Sequence, residues 1–157
     1  MRKKIITIDF ETYYDKDYSL SKLTTEEYVR DERFEIIGVG VKEYGKKAEW
    51  FTGPHIKIKK FLESFNLQQH RLIAHNAMFD GFILYHSFSI VPSNWCDTLS
   101  MGRAIHTIEV GGSLKELARY YNLGIKGDEV IYAVGKKRLD FTQTELDAYG
   151  EYCKTRS

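Results

Sequence analysis

The segment that decides the fold is Lys4-Ile5-Ile6-Thr7-Ile8-Asp9-Phe10-Glu11, at residues 4–11. Residues 4–10 are mainly β-branched and apolar, which is typical of a buried strand. Alternate residues of a strand face the same side, so Asp9 and Glu11 should converge on one spot at the exit of this strand. Two such carboxylates repel each other unless a divalent cation lies between them. Acidic pairs at strand ends are common and mostly solvated, so this pair alone is weak evidence for a site.

The chain after this strand alternates between strand and helix patterns. Residues 34–42 and 48–51 predict two strands joined by a glycine-containing turn at 44–47, which is a hairpin. Apolar residues spaced at 58, 61, 62 and 65 predict an amphipathic helix. The remaining predicted elements are a helix near 24–30, a strand at 71–74, a helix at 78–86, an edge strand at 94–97 and a helix at 98–104. This order predicts an α/β protein with a mixed sheet and helices on both faces.

Two later helices show capping boxes at their starts, Ser113 with Glu116 and Thr142 with Glu145. Gly124 is expected to end the first of them. The second helix continues to the end of the chain. One of its faces carries Leu146, Tyr149 and Cys153.

Composition indicates a single domain over residues 1–157, with 43% hydrophobic and 29% charged residues. The net charge of +1 is lower than in dedicated nucleic-acid binders, but a nuclease whose metals bind the phosphate does not need a basic excess. Cys96 and Cys153 lie far apart and indicate neither a zinc cluster nor a disulfide framework. Because no signal peptide or membrane-length apolar segment is evident, we expect a cytoplasmic protein.

A second signal is His75-Asn76-Ala77-Met78-Phe79-Asp80, which follows the short buried strand at 71–74. Asp80 falls in the first turn of the predicted helix, where the helix dipole favours an acid. It is nevertheless surrounded in sequence by Phe79, Phe82 and Ile83, with no lysine or arginine beside it. A metal ion would supply the missing positive partner.

The Asp-x-Glu motif at 9–11, the His-Asn-x-x-Phe-Asp motif at 75–80 and a terminal Tyr-Cys helix at 152–153, in this order, resemble the DEDD-type 3′-5′ exonucleases. The tyrosine branch of that family occurs in family A DNA polymerases and in RNase D-like enzymes. Asp-Phe-Glu-Thr-Tyr at 9–13 and Ser-Leu-x-x-Leu-Ala at 113–118 are most similar to the proofreading domains of phage family A polymerases. The resemblance covers nearly the whole chain.

This resemblance implies an RNase H-like (DnaQ-like exonuclease) fold and hydrolysis of the 3′-terminal phosphodiester, releasing nucleoside monophosphates. It implies that two Mg²⁺ or Mn²⁺ ions are held by Asp9, Glu11 and Asp80, and that Tyr152 orients the attacking water. The residues implied to contact the terminal nucleotides are Thr12, Asn76 and Phe79. The implied partners are a single-stranded DNA 3′ end and a polymerase domain of the same full-length chain, in a monomer within a bacterial host cytoplasm.

The family pattern Tyr-x-x-x-Asp places both side chains on one helical face, and here it is broken. Arg156 stands four residues after Tyr152, and Cys153, a soft ligand poorly suited to magnesium, stands four after Tyr149. We therefore expect Arg156 to impair the activity of this chain. Three explanations are open: truncation before a polymerase domain with Arg156-Ser157 derived from a vector, a deliberate change, or a naturally degenerate domain. The uncapped final helix favours truncation.

Two other functions remain open. An RNase D-like enzyme would act on RNA, and the contacts to the 2′-hydroxyl that decide this are not visible in the sequence. A non-catalytic module would only hold a 3′ end or dock a polymerase, but the presence of Asp9, Glu11, Asp80 and Tyr152 together argues against it. Other RNase H-like nucleases and integrases lack the terminal tyrosine helix. Residues 13–33 are polar and aperiodic, so we expect them to pack outside the sheet without a catalytic role.

Overall fold

The computed structural model describes residues 3–106, 108–123 and 133–156, with the side chains of 155 and 156 excluded. Within these ranges the strands are β1 (Ile5–Thr12), β2 (Ile36–Glu43), β3 (Glu49–Phe51), β4 (Arg71–Ala74) and β5 (Asn94–Asp97). The α-helices there are α1 (Thr25–Arg30), α2 (His55–Glu63), α3 (Ala77–Phe88), α4 (Thr98–His106), α5 (Leu114–Tyr120) and α6 (Gln143–Arg156). None of these helices is both long and apolar enough to cross a membrane.

The five strands form one mixed sheet in the order β3-β2-β1-β4-β5. The β1–β2 and β2–β3 pairs are antiparallel, whereas β1–β4 and β4–β5 are parallel. The predicted hairpin is present, and its turn uses Gly45 at a positive φ of 80°. The predicted α/β class and the edge position of β5 are confirmed.

The strand β1 is longer than the sequence predicted. It continues to Thr12, because its pairing with β2 persists through Asp9↔Gly40 and Glu11↔Gly38. The two acids therefore lie inside the strand rather than beyond its exit. After Glu11 the register shifts, and Ile37 is the extra residue of β2.

Alternation along β1 divides the core between two faces of the sheet. Ile6, Ile8 and Phe10 belong to the main hydrophobic cluster, in which Phe10 stacks on Phe88 of α3 at 6.2 Å between ring centroids. Ile37 belongs to a second cluster with residues of α6. The residues of β1 between the apolar ones, among them Asp9 and Glu11, face the α6 side.

The segment at 13–33 contributes no strand to the sheet, as expected, but it is a larger part of the core than its polar composition predicted. Tyr18 and Tyr28 are fully buried and stack at 4.3 Å between centroids. The hydroxyl of Tyr18 donates to the Tyr28 carbonyl at 2.6 Å, and the hydroxyl of Tyr28 donates to the Tyr13 carbonyl. Each phenol hydroxyl donates to a backbone carbonyl, so the polar end of the ring can be buried together with its apolar part. The segment is therefore buried although its sequence shows no apolar periodicity.

Both predicted capping boxes form. Glu116 and Glu145 accept from the backbone amides of Ser113 and Thr142, and the two hydroxyls accept in return. The helix α5 ends earlier than predicted, because Asn122 takes a left-handed φ of 54°. Its amide and the next one donate back to the carbonyls of residues 119 and 118, which is a Schellman motif. Gly124, the predicted stop, lies outside the described residues.

Asp97, the last residue of β5, holds three elements together. Its Oδ1 accepts from the amides of Asn76 (2.9 Å), Ala77 (3.2 Å) and Leu99 (3.1 Å), and its Oδ2 accepts from the Ser100 hydroxyl at 2.7 Å. Desolvation acts to raise the pKa of Asp97, but these four hydrogen bonds outweigh it and hold the pKa below its ordinary value. The starts of α3 and α4 are thereby fixed to the end of the sheet.

Replacing Asp97 with alanine should lower the free energy of unfolding by about 2 kcal/mol, because four donors lose one charged acceptor. Since the pKa is depressed in the folded state, this contribution is complete above about pH 4 and is lost as the pH falls through the folded-state pKa. Urea unfolding of wild type and Asp97→Ala at neutral and acidic pH measures it. The difference should shrink on acidification, and the control Asp17→Ala, whose side chain is 90% exposed, should change stability by less than about 0.5 kcal/mol.

Candidate active site

A cleft of about 320 Å³ lies where the parallel strands β1 and β4 end. The predicted carboxylates and the predicted nucleotide contacts all line it. They are Asp9, Glu11, Asp80, Thr12, Asn76 and Phe79. The cleft is also lined by Tyr14, Ser19, Leu20 and Tyr28, so the segment at 13–33 forms one of its walls.

Asp9 and Glu11 present their carboxylates on the same face of β1. A carboxylate oxygen of each lies within 4.8 Å of the other and of the Cys153 sulfur. Their cross-strand partners on β2 are Gly40 and Gly38, which have no side chains to occupy this face. The space beside the acids is therefore available to α6.

Asp80 reaches the cleft from the first turn of α3 and is only 3% exposed. Its Oδ1 accepts the backbone N–H of Phe10 at 3.0 Å. That amide lies beyond the last β1–β4 pair, Thr7↔Ile73, where β4 no longer pairs with β1. The buried carboxylate is thus anchored by a backbone donor that stands between Asp9 and Glu11 in sequence.

The helix α6 approaches the sheet through a contact between glycine and tryptophan. Trp50 of β3 lies between Gly38 and Gly150, and a methyl group placed on either glycine would come within 2.4 Å of its ring. Only a residue without Cβ fits on each side. This contact sets the distance of α6 from the sheet and hence from Glu11.

Tyr149 is the tyrosine of α6 that contacts a predicted metal ligand. Its hydroxyl donates to Glu11 Oε2 at 2.9 Å. Burial raises the pKa of Tyr149 far above its ordinary value, and the Glu11 charge and this hydrogen bond raise it further. Tyr149 is therefore a neutral donor and not a base.

Tyr152, to which the motif assigned the water-orienting role, is buried in the cluster that also holds Ile37 and Leu146. Its ring centroid is 6.3 Å from that of Tyr149. Its catalytic role stays a prediction. The side chain of Arg156, predicted to stand at the fourth ligand position, lies outside the described residues.

Cys153 is the residue of α6 whose sulfur lies within 4.8 Å of a carboxylate oxygen of both Asp9 and Glu11. Its sulfur lies 3.7 Å from Asp9 Oδ2 and 3.6 Å from the Asp9 carbonyl oxygen. Cys153 is not among the predicted metal ligands, because a thiol is a soft ligand poorly suited to magnesium. The sequence feature that could have indicated Cys153 is its position four residues after Tyr149. This spacing fits the family pattern as well as the spacing between Tyr152 and Arg156 does.

Comparison with known proteins adds a family and a fold. A family model of the DNA polymerase A exonuclease type, described as 3′-5′ exonuclease, matches residues 2–154. A search of curated protein sequences gives no match.

Among solved structures, Brucella melitensis NrnC bound to pGG superimposes with a TM-score of 0.65 at 18% identity, over 99% of this chain and 67% of that one. Another structure of NrnC contains bound Mg²⁺. Trypanosoma brucei RNase D in complex with RNA U12 gives 0.69 at 15% identity, over 98% and 52% of the two chains. A family B DNA polymerase from Pyrobaculum calidifontis gives 0.60 at 12%, over 99% and 23%.

These similarities confirm the predicted RNase H-like fold. At such identities they establish the fold alone. The chain spans about two thirds of NrnC, about half of RNase D and about a quarter of the polymerase.

Replacing Gly150 with alanine should lower the free energy of unfolding by about 1–2 kcal/mol, because the methyl group forces Trp50 and α6 apart. Without that clash, alanine would instead stabilise the helix by up to about 1 kcal/mol. The matched control is Gly81→Ala in α3, where the added methyl would lie 3.4 Å from the Trp95 ring, an ordinary contact. Urea unfolding should show a loss for Gly150→Ala and no loss for Gly81→Ala; equal effects would show that the Trp50 contact does not position α6.

Proposed function

This chain belongs to the 3′-5′ exonuclease family whose model matches residues 2–154, and we propose that it hydrolyses the 3′-terminal phosphodiester of single-stranded DNA with divalent cations. The observation that carries the proposal is that three carboxylates and three nucleotide-contact candidates line one cleft, with Asp9 and Glu11 oxygens within 4.8 Å of each other. These residues come from two distant parts of the sequence, 9–12 and 76–80. Their meeting is a property of the fold and not of one local motif.

The cleft fits a divalent cation by the chemistry of its donors. Asp9, Glu11 and Asp80 offer carboxylate oxygens, which are the ligands that Mg²⁺ and Mn²⁺ prefer. When bound, such ions neutralise the scissile phosphate and lower the pKa of an attacking water. NrnC, which shares the fold, is known with Mg²⁺, and this supports the assignment.

Around the acids, the proposed roles follow from position. Tyr149 donates to Glu11, which holds that carboxylate in one orientation and places a neutral hydroxyl beside the reaction site. Phe79, half-buried and 5.9 Å from the Tyr28 ring, offers a face to a terminal base or sugar. The Thr12 hydroxyl is hydrogen-bonded to Tyr28 at 2.8 Å, so its position at the cleft is fixed.

We further propose that the domain proofreads for a DNA polymerase. The support is the likeness of residues 9–13 and 113–118 to phage polymerase domains, together with the polymerase-type family model. A mismatched terminus pairs less stably and frays more often, so its 3′ end would enter a single-strand cleft more often. Action on RNA is the alternative outcome, because the 2′-hydroxyl distinguishes the two substrates.

The direct test is the rate at which matched 5′-labelled DNA and RNA strands are shortened from their 3′ ends in the presence of Mg²⁺ or Mn²⁺. Asp9→Asn and Asp80→Asn should each lower the rate at least about 100-fold, since loss of a supporting residue alone costs about 10–100-fold at metal sites. A chelator should abolish the activity, and a blocked 3′ end should prevent it.

The matched control is Asp147→Asn, which removes one exposed carboxylate from α6 and should leave the rate unchanged. Preference for the RNA strand would reassign the substrate. Absence of degradation of both strands with these cations and with Co²⁺ would refute the catalytic proposal and leave a 3′-end-binding module.

The two tyrosines of α6 can be separated by a second experiment. Tyr149→Phe should lower turnover about tenfold, because Glu11 loses a buried donor. Tyr152→Phe should give the smaller loss, since its ring packs in the cluster around Ile37. Single-turnover rates of both variants, with unfolding measured in parallel, provide the comparison. A larger loss for Tyr152→Phe would assign the water-orienting role to Tyr152, as the motif predicts.

A further inference from the structure

The donor set beside β1 is not made of carboxylates alone. Asp9, Glu11 and Cys153 each place one ligand atom within 4.8 Å of the others. Glu11 is 7% exposed and Cys153 is fully buried, so two of the three ligand atoms are largely removed from solvent where α6 packs against β1. The three come from two elements that are more than 140 residues apart in sequence.

The separation between Cys153 and Asp9 is compatible with one bound ion. Typical zinc bonds of about 2.3 Å to sulfur and about 2.1 Å to oxygen, at a tetrahedral angle, put the two ligand atoms about 3.6 Å apart. The Cys153 sulfur lies 3.7 Å from Asp9 Oδ2. Octahedral angles with the same bonds would require about 3.1 Å. The observed separation, which in the structure is a thiol–carboxylate hydrogen bond, is compatible with tetrahedral coordination, and it is the sulfur ligand itself that disfavours Mg²⁺.

We propose that Asp9, Glu11 and Cys153 form a mixed carboxylate–thiolate site for a borderline-soft divalent cation of the Zn²⁺ or Co²⁺ class. Thiolate ligands select such ions, whereas Mg²⁺ requires oxygen ligands. On binding, the Cys153 thiol gives its proton to solvent and its sulfur becomes the third protein ligand. Because Asp9 and Glu11 line the cleft, a water or a phosphate oxygen there could complete the coordination of such an ion.

This inference rests on the proposed function only for its consequence in catalysis. Cys153 stands four residues after Tyr149, the tyrosine that contacts Glu11, and this is the spacing at which the family pattern has an aspartate. The chain should therefore work poorly with Mg²⁺ and better with thiophilic ions. A weak Mg²⁺-dependent activity of this chain would then require no contribution from Arg156.

The test is the absorption spectrum of the full chain with Co²⁺, in a non-thiol reductant and without nucleic acid. Wild type should show the near-ultraviolet sulfur-to-cobalt charge-transfer band at one equivalent of metal. Cys153→Ser and Cys153→Asp should lose it, and excess Mg²⁺ should not remove it from wild type. The control Cys96→Ser, which changes the chain's other cysteine on β5, should keep the band.

A missing band in wild type at saturating Co²⁺, or a band that survives in Cys153→Ser, would overturn the proposal. The first result would mean that Cys153 only packs between α6 and the sheet. Wild type needs no substitution to fold, so its spectrum decides this point even if a variant is unstable.

Nuclease assays of the same proteins separate the two proposals. Cys153→Asp should raise the Mg²⁺-supported rate about tenfold or more, whereas Arg156→Asp should not. A cobalt band without hydrolysis by any variant would refute the exonuclease proposal and leave the metal site. Hydrolysis with Mg²⁺ that rises only in Arg156→Asp, with no cobalt band, would refute the metal site and leave the exonuclease.

Discussion

The hydrogen bond from the Phe10 amide to Asp80 Oδ1 is the constraint on which the site depends. The strand β1 extends beyond its last pair with β4, and leaving one of its buried amides unpaired would cost about 1–3 kcal/mol. Asp80 satisfies that amide and brings the first turn of α3 against the strand. Because Asp97 fixes the amides of Asn76 and Ala77 at the same end of α3, the helix is held at two points less than two turns apart. The orientation of its cleft-lining residues follows from these two anchors.

The other side of the cleft depends on the absence of side chains. A helix can approach β1 on the face of its two acids only if the neighbouring strand leaves room, and β2 presents glycines at 38 and 40 there. Trp50 then fills the space between β2 and α6, with a glycine on each side of its ring. Steric exclusion by one rigid side chain thereby determines where the hydroxyl of Tyr149 and the sulfur of Cys153 lie relative to Glu11 and Asp9.

Local patterns predicted most of this architecture, and long-range packing decided the rest. The two-residue period of a strand was enough to place Asp9 and Glu11 together, and the capping boxes marked α5 and α6 correctly. The tyrosines at 18 and 28 were missed because their burial depends on backbone acceptors and on each other, which gives no apolar period. The register of α6 could not be decided locally, because residues 149, 152, 153 and 156 all lie within one helical face. The choice is made by Gly150 against Trp50, a contact between residues one hundred positions apart.

This arrangement couples folding to the state of the site. Tyr149 belongs to the hydrophobic cluster around Ile37, yet its hydroxyl is bound to Glu11. Asp80 lines the cleft, yet its carboxylate also accepts the Phe10 amide of β1 that no neighbouring strand pairs. Two acids and a buried thiol, with ligand atoms within 4.8 Å of one another, concentrate negative charge in a largely buried region, and this costs desolvation free energy. A cation bound there would remove that cost in the folded state only, so its binding free energy would add to the stability of the fold. Asp80 and Tyr149 thus take part both in the site and in the packing of α3 and α6 against β1, so substitutions at these two positions act on stability as well as on chemistry.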